Sequence, residues 1–299
     1  MSVVINTNVD ALKIQNILSG ATDKLSQSMQ RMSSGLKINS AKDDAAGTVI
    51  SARMNVQLDG NKICQQNVQN ANALMSTAES NIDVVLDNVS RIRDLTLQAK
   101  NGTYSTNEIN AMQKEVKERL AEIDRVSSSA KFSQLNLFET TDMQQNGVTF
   151  QVGQNADEKV SEGSTEYKTD NIIKADKDIF KSVKFSSLTG KTGAFNLSNI
   201  KAGTGAYTNF NEALKSLDTA IDGLTARKSL IGSAQARLGS ALDTLTTQYT
   251  NLSSAKSIIT DADIASEAST FTQNQILQQV STSLLAQANQ APSVALSLL

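Results

Sequence analysis

Asp43 and Asp44 come nearest to a reactive pair in this chain. Adjacent carboxylates could ligate a divalent cation or share an acid–base task. No second cluster of candidate ligands lies near them in sequence. Carboxylates in a first helical turn more often complement the helix dipole. Ser40-Ala-Lys-Asp43 also has the spacing of a capping box, so the pair is read as the entry to a helix after a loop. The remaining inventory excludes most catalytic chemistry. Among 299 residues there is no His and one Cys, Cys64. Ser-His-Asp and Cys-His nucleophiles are therefore excluded, as is any His-based metal site. A lone thiol cannot close an internal disulfide, and Cys64 is read as a small, partly buried helix residue. The glycines show no phosphate-loop pattern. No catalytic residue, metal or cofactor is assigned.

The elements built by these residues are long helices. In Ala71–Ala99 the apolar positions are Ala71, Met75, Ala78, Ile82, Val85, Val89, Ile92, Leu95 and Ala99. Their steps alternate between four and three, which is the seam of a coiled-coil helix. Neither Pro nor Gly interrupts it before Asn101-Gly102, which reads as a C-cap. Such a helix is about 43 Å long and needs partners along its narrow seam. The chain supplies them on both sides. Residues 1–36 carry Ile5, Val9, Leu12, Leu18, Ala21, Leu25, Met29, Met32 and Leu36, closed by Gly35. Residues 45–70 form a helix rich in Gln and Asn that leads into the central seam. Ser105-Thr-Asn-Glu108 is a second capping box, opening a seam of Ile109, Met112, Val116, Leu120, Ile123 and Val126. From Phe210 a third long seam runs through Leu217, Leu224, Ile231, Leu238 and Leu245 to Ile259. Thr260-Asp-Ala-Asp263 then opens a last helix with Ile264, Ala268, Phe271, Leu277, Val280 and Leu284.

Residues 130–205 differ. Seven of the 15 glycines fall between Gly147 and Gly205. Val148–Val152 alternates as a strand, with a turn at Gly153–Asp157. Weaker strand signals lie around 179–185 and 195–200. The predicted fold is mainly α: an elongated coiled-coil helical bundle built from both chain termini, with a small β-hairpin and β-containing insert in the middle. Aromatic residues make up 4% of the chain, with no Trp. That favours Ala, Leu, Ile and Val seams over a large spherical core.

The net charge of −2 with mixed signs gives no electrostatic case for binding nucleic acid. No run of 18 apolar residues predicts membrane insertion, and the first residues lack the pattern of a secretory signal peptide. The last helix is unusual in carrying no Asp, Glu, Lys or Arg after Glu267. A solvent-facing helix normally carries charge. Neutral polar faces of Gln, Ser, Thr and Asn suit close packing against copies of the same helix, where like charges would repel. Self-assembly is the expected consequence.

Two stretches carry a family resemblance. Leu25-Ser-Gln-Ser-Met-Gln-Arg-Met-Ser-Ser-Gly-Leu-Lys-Ile-Asn-Ser-Ala-Lys-Asp-Asp-Ala-Ala-Gly47 resembles the amino-terminal signature of bacterial flagellins. Ile276-Leu-Gln-Gln-Val-Ser-Thr-Ser-Leu-Leu-Ala-Gln-Ala-Asn-Gln290 resembles their carboxy-terminal one. The resemblance covers about residues 1–140 and 210–299. It implies a structural, non-enzymatic subunit of the extracellular flagellar filament, a propeller for motility. The alternative is a hook–filament junction protein, which resembles flagellins at both ends. Residues 1–40 and 264–299 would form an inner terminal coiled-coil domain. Residues 41–140 and 205–263 would form a rod-like helical domain, and 141–204 a hairpin and outer insert. Assembly would use Leu25, Met29, Met32, Leu36, Phe271, Leu277, Val280 and Leu284. The implied partners are copies of itself, hook-associated junction and cap proteins, and an export chaperone on the carboxy-terminal region. Secretion would follow the flagellar type III route. Val89–Gln98 also resembles the flagellin segment read by Toll-like receptor 5, with Arg91, Leu95 and Gln98 in the segment and Glu115 as a further contact. Ser90, Asp94 and Thr96 stand where other members often carry Gln, Glu and Ala.

Overall fold

The computed structural model describes residues 8–139, 141–154, 172–189, 195–203, 207 and 209–296. Five long helices dominate them. They are α1 (Val9–Ser34), α2 (Ala45–Lys100), α3 (Thr106–Ser129), α7 (Phe210–Thr260) and α8 (Ile264–Leu296). Between α3 and α7 lie β1 (Lys131–Phe132), β2 (Leu135–Asn136), α4 (Thr141–Asn146), β3 (Val148–Gln151), β4 (Ile172–Ala175), α5 (Phe185–Thr189) and α6 (Leu197–Lys201). The central seam and the Gln- and Asn-rich stretch before it are one helix of 56 residues, about 84 Å long. Among the described residues, no helix is long and apolar enough to cross a membrane.

The packing forms two units, residues 59–249 and residues 1–58 with 250–299. In the first, all nine predicted seam residues of α2 are buried, joined by Cys64 and Val68. They share one apolar cluster with Ile109, Val116 and Ile123 of α3, and with Leu217, Leu224, Ile231 and Leu238 of α7. Polar pairs flank the seam and show how the helices run. Arg93 meets Asp218 at 2.5 Å and Lys228 meets Asp83 at 2.8 Å, while Gln235 donates to Glu79 at 3.2 Å. Ascending numbers on α2 meet descending numbers on α7, so the two are antiparallel. Arg119 donating to Asn88, with Arg91 donating to Glu115, gives the same sense for α3 against α2.

The β-element is correct at its first strand. β3 pairs antiparallel with β4, in the register Val148 with Ala175 and Gln151 with Ile172. Of the turn expected at Gly153–Asp157, residues 155–157 lie outside the described residues, and the strand that pairs with β3 comes at 172–175. The weak strand signals at 179–185 and 195–200 are overturned. Those segments hold a 3-10 turn (Lys177–Phe180), α5 and α6. Their aromatic residues are buried by packing, without strand pairing. Phe195 sits edge-on to both Phe185 and Tyr207, with ring centroids 5.4 and 5.2 Å apart. Asn196 accepts from the Ser198 and Asn199 amides, which starts a helix. Gln113 of α3 anchors the segment to the bundle. It accepts from the Leu197 amide at 2.7 Å and donates to the Phe195 carbonyl at 3.1 Å.

The helix ends also separate into agreement and correction. Ser105 and Glu108 form the predicted reciprocal box. Gly35 closes α1 in the left-handed conformation, φ 71°, with its amide on the Arg31 carbonyl. α2 ends at Lys100, directly before the expected Asn101-Gly102, but Gly102 has no positive φ, so this end lacks the left-handed glycine seen at Gly35. The other two boxes are displaced. Asp44 caps α2 by accepting from the Gly47 amide at 3.0 Å, and Asp43 instead ties up the Asn39 and Ser40 amides. Asp263 caps α8 through the Ala265 amide at 3.0 Å. In both cases a carboxylate takes the place of the predicted hydroxyl, Asp44 four residues after Ser40 and Asp263 three after Thr260, because a charged acceptor binds orphan amides more strongly. Asp43 and Asp44 are thus both engaged in local backbone structure. Among the described residues, no group of three potential metal ligands is found.

Candidate functional site

Two surfaces gather the predicted site residues. The first is the α1–α8 pair. Gln278 donates to Thr22 at 3.3 Å, Asn8 to the Ala288 carbonyl at 2.8 Å, and Arg31 lies 3.8 Å from Glu267. These contacts set the helices antiparallel. The inward positions on α1 are Ile14, Leu18, Ala21, Leu25, Ser28 and Met32, again in steps of four and three. On α8 they are Phe271, Asn274, Gln278, Ser281 and Leu285. Leu25, Met32 and Phe271 of the predicted assembly set therefore lie at the pair's own seam, partly covered. Met29, Leu36, Leu277, Val280 and Leu284 do not.

α8 thus turns a mixed stripe towards α1, in which Asn274, Gln278 and Ser281 alternate with Ala268, Phe271, Leu285 and Ala288. Its most apolar stripe faces away, with Ile276, Leu277, Val280 and Leu284 at 42–55% exposure. An apolar stripe left exposed on a helix is a candidate interaction surface. Heptad spacing identified residues fit for burial, but placed all of them on one seam. The signal that could have separated the two faces is the polar register Asn274, Gln278, Ser281, which repeats at four and three beside the apolar one.

The second surface lies where α2 and α3 pack. Arg91 forms a bidentate pair with Glu115, at 2.7 and 3.2 Å. Asp87 and Asp94 stand four residues before and three residues after Arg91 on the same helix. The guanidinium instead reaches across to α3, where its planar fork matches a carboxylate. Arg119 stands 3.8 Å from the same carboxylate. Hydrogen bonds from Arg91, with the positive charge behind them, hold the Glu115 carboxyl below the usual range. Gln98 donates to the Tyr104 hydroxyl at 3.1 Å. Arg91, Gln98 and Glu115 are thus surface-exposed or partly so. Leu95 is 2% exposed and belongs to the core cluster, so it supports this surface from beneath. Sequence spacing missed Tyr104 and Arg119 as neighbours: Tyr104 reaches Gln98 through the turn after α2, and Arg119 arrives only when α3 folds back on α2.

Several other carboxyls are also held low: Asp43 chiefly by the Ser40 hydroxyl, Glu108 by the Ser105 amide, and Asp261 by the Ser257 hydroxyl. A depressed carboxylate contributes stability that is complete above its unfolded pKa and is lost as pH falls through its folded one. With no His, no side chain of ordinary pKa titrates between about pH 5 and 8. Thermal melts should therefore be level across that window and fall only below about pH 4. A step inside the window would contradict this.

The comparisons agree across the chain. Residues 5–142 match the bacterial flagellin N-terminal helical region, and residues 214–299 match the bacterial flagellin C-terminal helical region. A flagellin of Xenorhabdus nematophila is 35% identical over 317 residues, covering 100% of both chains. A flagellar filament 30.7 kDa core protein of Treponema maltophilum is 30% identical over 293 residues, covering 96% of both. The structure of a Vibrio parahaemolyticus protein assigned as flagellar hook-associated covers 73% of this chain and 99% of its own, with TM-score 0.51. At 15% identity that likeness concerns fold alone.

Proposed function

This chain belongs to the bacterial flagellin family and is a subunit of the flagellar filament, and we propose that it polymerises through the apolar stripe that α8 leaves uncovered. The single observation that carries this is the pairing of an exposed apolar stripe with a helix that has no Asp, Glu, Lys or Arg after Glu267. Repeating neighbours in a homopolymer can bury such a face without stacking like charges. The hook-associated alternative is weaker, because the relatives that span nearly the whole chain are flagellins and a filament core protein. Negative-stain microscopy of the purified chain tests the reading. Long helical filaments are expected, and short or capped assemblies would favour the alternative.

Within that reading, residues 1–40 with 264–299 are the inner domain, supported by the antiparallel α1–α8 pair. Residues 41–140 with 205–263 form the next domain, and 141–204 the outer insert. The role is structural and non-catalytic. Secretion by the flagellar type III route, a chaperone on the carboxy-terminal region, and junction and cap proteins as neighbours follow from the family resemblance.

We further infer that the Arg91, Gln98 and Glu115 surface, backed by Leu95, meets Toll-like receptor 5. An Arg at the centre of an interface is a frequent hot spot. Arg91→Ala should weaken receptor binding by more than about 1 kcal/mol. Its surface ion pair contributes at most about 1 kcal/mol to folding, so helicity should persist. Affinity of the monomer for the receptor ectodomain, measured with and without the substitution, decides this. Equal affinities would leave Arg91 as a structural ion pair.

A further inference from the structure

We propose that Asn101 is a spontaneous deamidation site, and that the other Asn-Gly step, Asn146-Gly147, is protected by the fold. The chain holds these two Asn-Gly pairs. In each the glycine lacks a Cβ, so its backbone nitrogen is open to the carboxamide of the residue before it. What separates them is the backbone around them.

Asn101 follows the last residue of α2 and is exposed together with Gly102. Its amide donates to the Gln98 carbonyl at 3.1 Å. The Thr103 amide donates to the Asn101 side-chain oxygen at 3.4 Å. The Tyr104 amide reaches the Asn101 carbonyl at 3.5 Å. The last two bonds are long, so the turn opens easily. A Cβ built on Gly102 meets nothing within 4 Å. Gly147 is held at φ 72° between α4 and β3, and a Cβ there would run into the Ala175 carbonyl of the paired strand. Asn146 cannot rotate its following peptide without breaking that strand pairing.

The reaction needs only water. The Gly102 nitrogen attacks Cγ of Asn101 and forms a C–N bond while its proton passes to solvent. The former carboxamide nitrogen takes up a proton and leaves as ammonia, giving a five-membered imide. Water then opens either imide carbonyl, yielding aspartate or isoaspartate at 101. The product places a carboxylate at the negative end of the α2 dipole. The isoaspartate form also lengthens the main chain beside the Gln98–Tyr104 hydrogen bond.

The test is incubation of the purified full-length chain in mildly alkaline buffer. Tryptic peptide mapping with fragmentation then covers residues 101–114, where Asn107 and Asn110 serve as references inside α3, and residues 132–159, which carry Asn146. Asn101 should gain one mass unit several-fold faster than Asn107, Asn110 or Asn146, with isoaspartate present. Gly102→Ala should fold normally, since the site has room, and should slow Asn101 to the reference rate. Equal rates at Asn101 and the helical asparagines would overturn the proposal. So would faster conversion at Asn146, or an unchanged rate in Gly102→Ala.

Discussion

Replacing Val89 with Asp is expected to destabilise the residue 59–249 unit by more than about 4 kcal/mol. Val89 is fully buried at the middle of the α2 seam and shares its cluster with α3 and α7 residues. The substitution removes apolar burial and puts a carboxylate where no cation belongs. The cations flanking this seam, Arg91, Arg93 and Lys228, are already committed to Glu115, Asp218 and Asp83. An unpaired buried charge either pays for desolvation or takes up a proton, and both cost folding energy. Val84→Asp is the matching control, since Val84 is 40% exposed on the same helix. It should shift stability by no more than about 0.5 kcal/mol. Denaturant unfolding followed by helicity reads both. Equal midpoints for the two variants would refute the seam assignment.

Filament formation should be lost in Val280→Asp and Leu284→Asp while the monomer stays folded. Both positions lie on the exposed stripe of α8, 48% and 45% accessible. A carboxylate there remains solvated in the single chain, so the monomer should change by no more than about 0.5 kcal/mol. In a homopolymer the same charge recurs on every subunit and has to be desolvated at each contact. Removing residues 268–299 altogether should abolish filaments as well, while the residue 59–249 unit stays folded. The apolar core cluster lies between Cys64 and Leu245, so the truncated chain keeps it whole. Sedimentation and electron microscopy measure the polymer, and circular dichroism the monomer. Filaments of normal length from either point variant would show that this stripe is not an assembly contact.

The long helices were legible because helical periodicity is a local property. The four-and-three spacing from Ala71 to Ala99 identified the buried face of α2 at every position. Gly35 and the Ser105–Glu108 box marked ends correctly, because a cap depends on residues within one turn. The absence of His removed whole classes of chemistry by composition alone. Family membership was equally readable, from two signatures in order. What needed the tertiary structure was the choice among partners. Leu277, Val280 and Leu284 are as apolar as any seam residue, yet α1 packs against Asn274, Gln278 and Ser281 instead. Hydrophobicity states that a face is destined for burial and carries no address for what covers it. Arg91 had two carboxylates within reach on its own helix and took Glu115 across the gap. Nor could spacing show that Phe195 would meet Phe185 and Tyr207 edge-on beside α5 and α6. Those contacts join residues distant in sequence, and packing geometry decides between them where local propensity is evenly balanced.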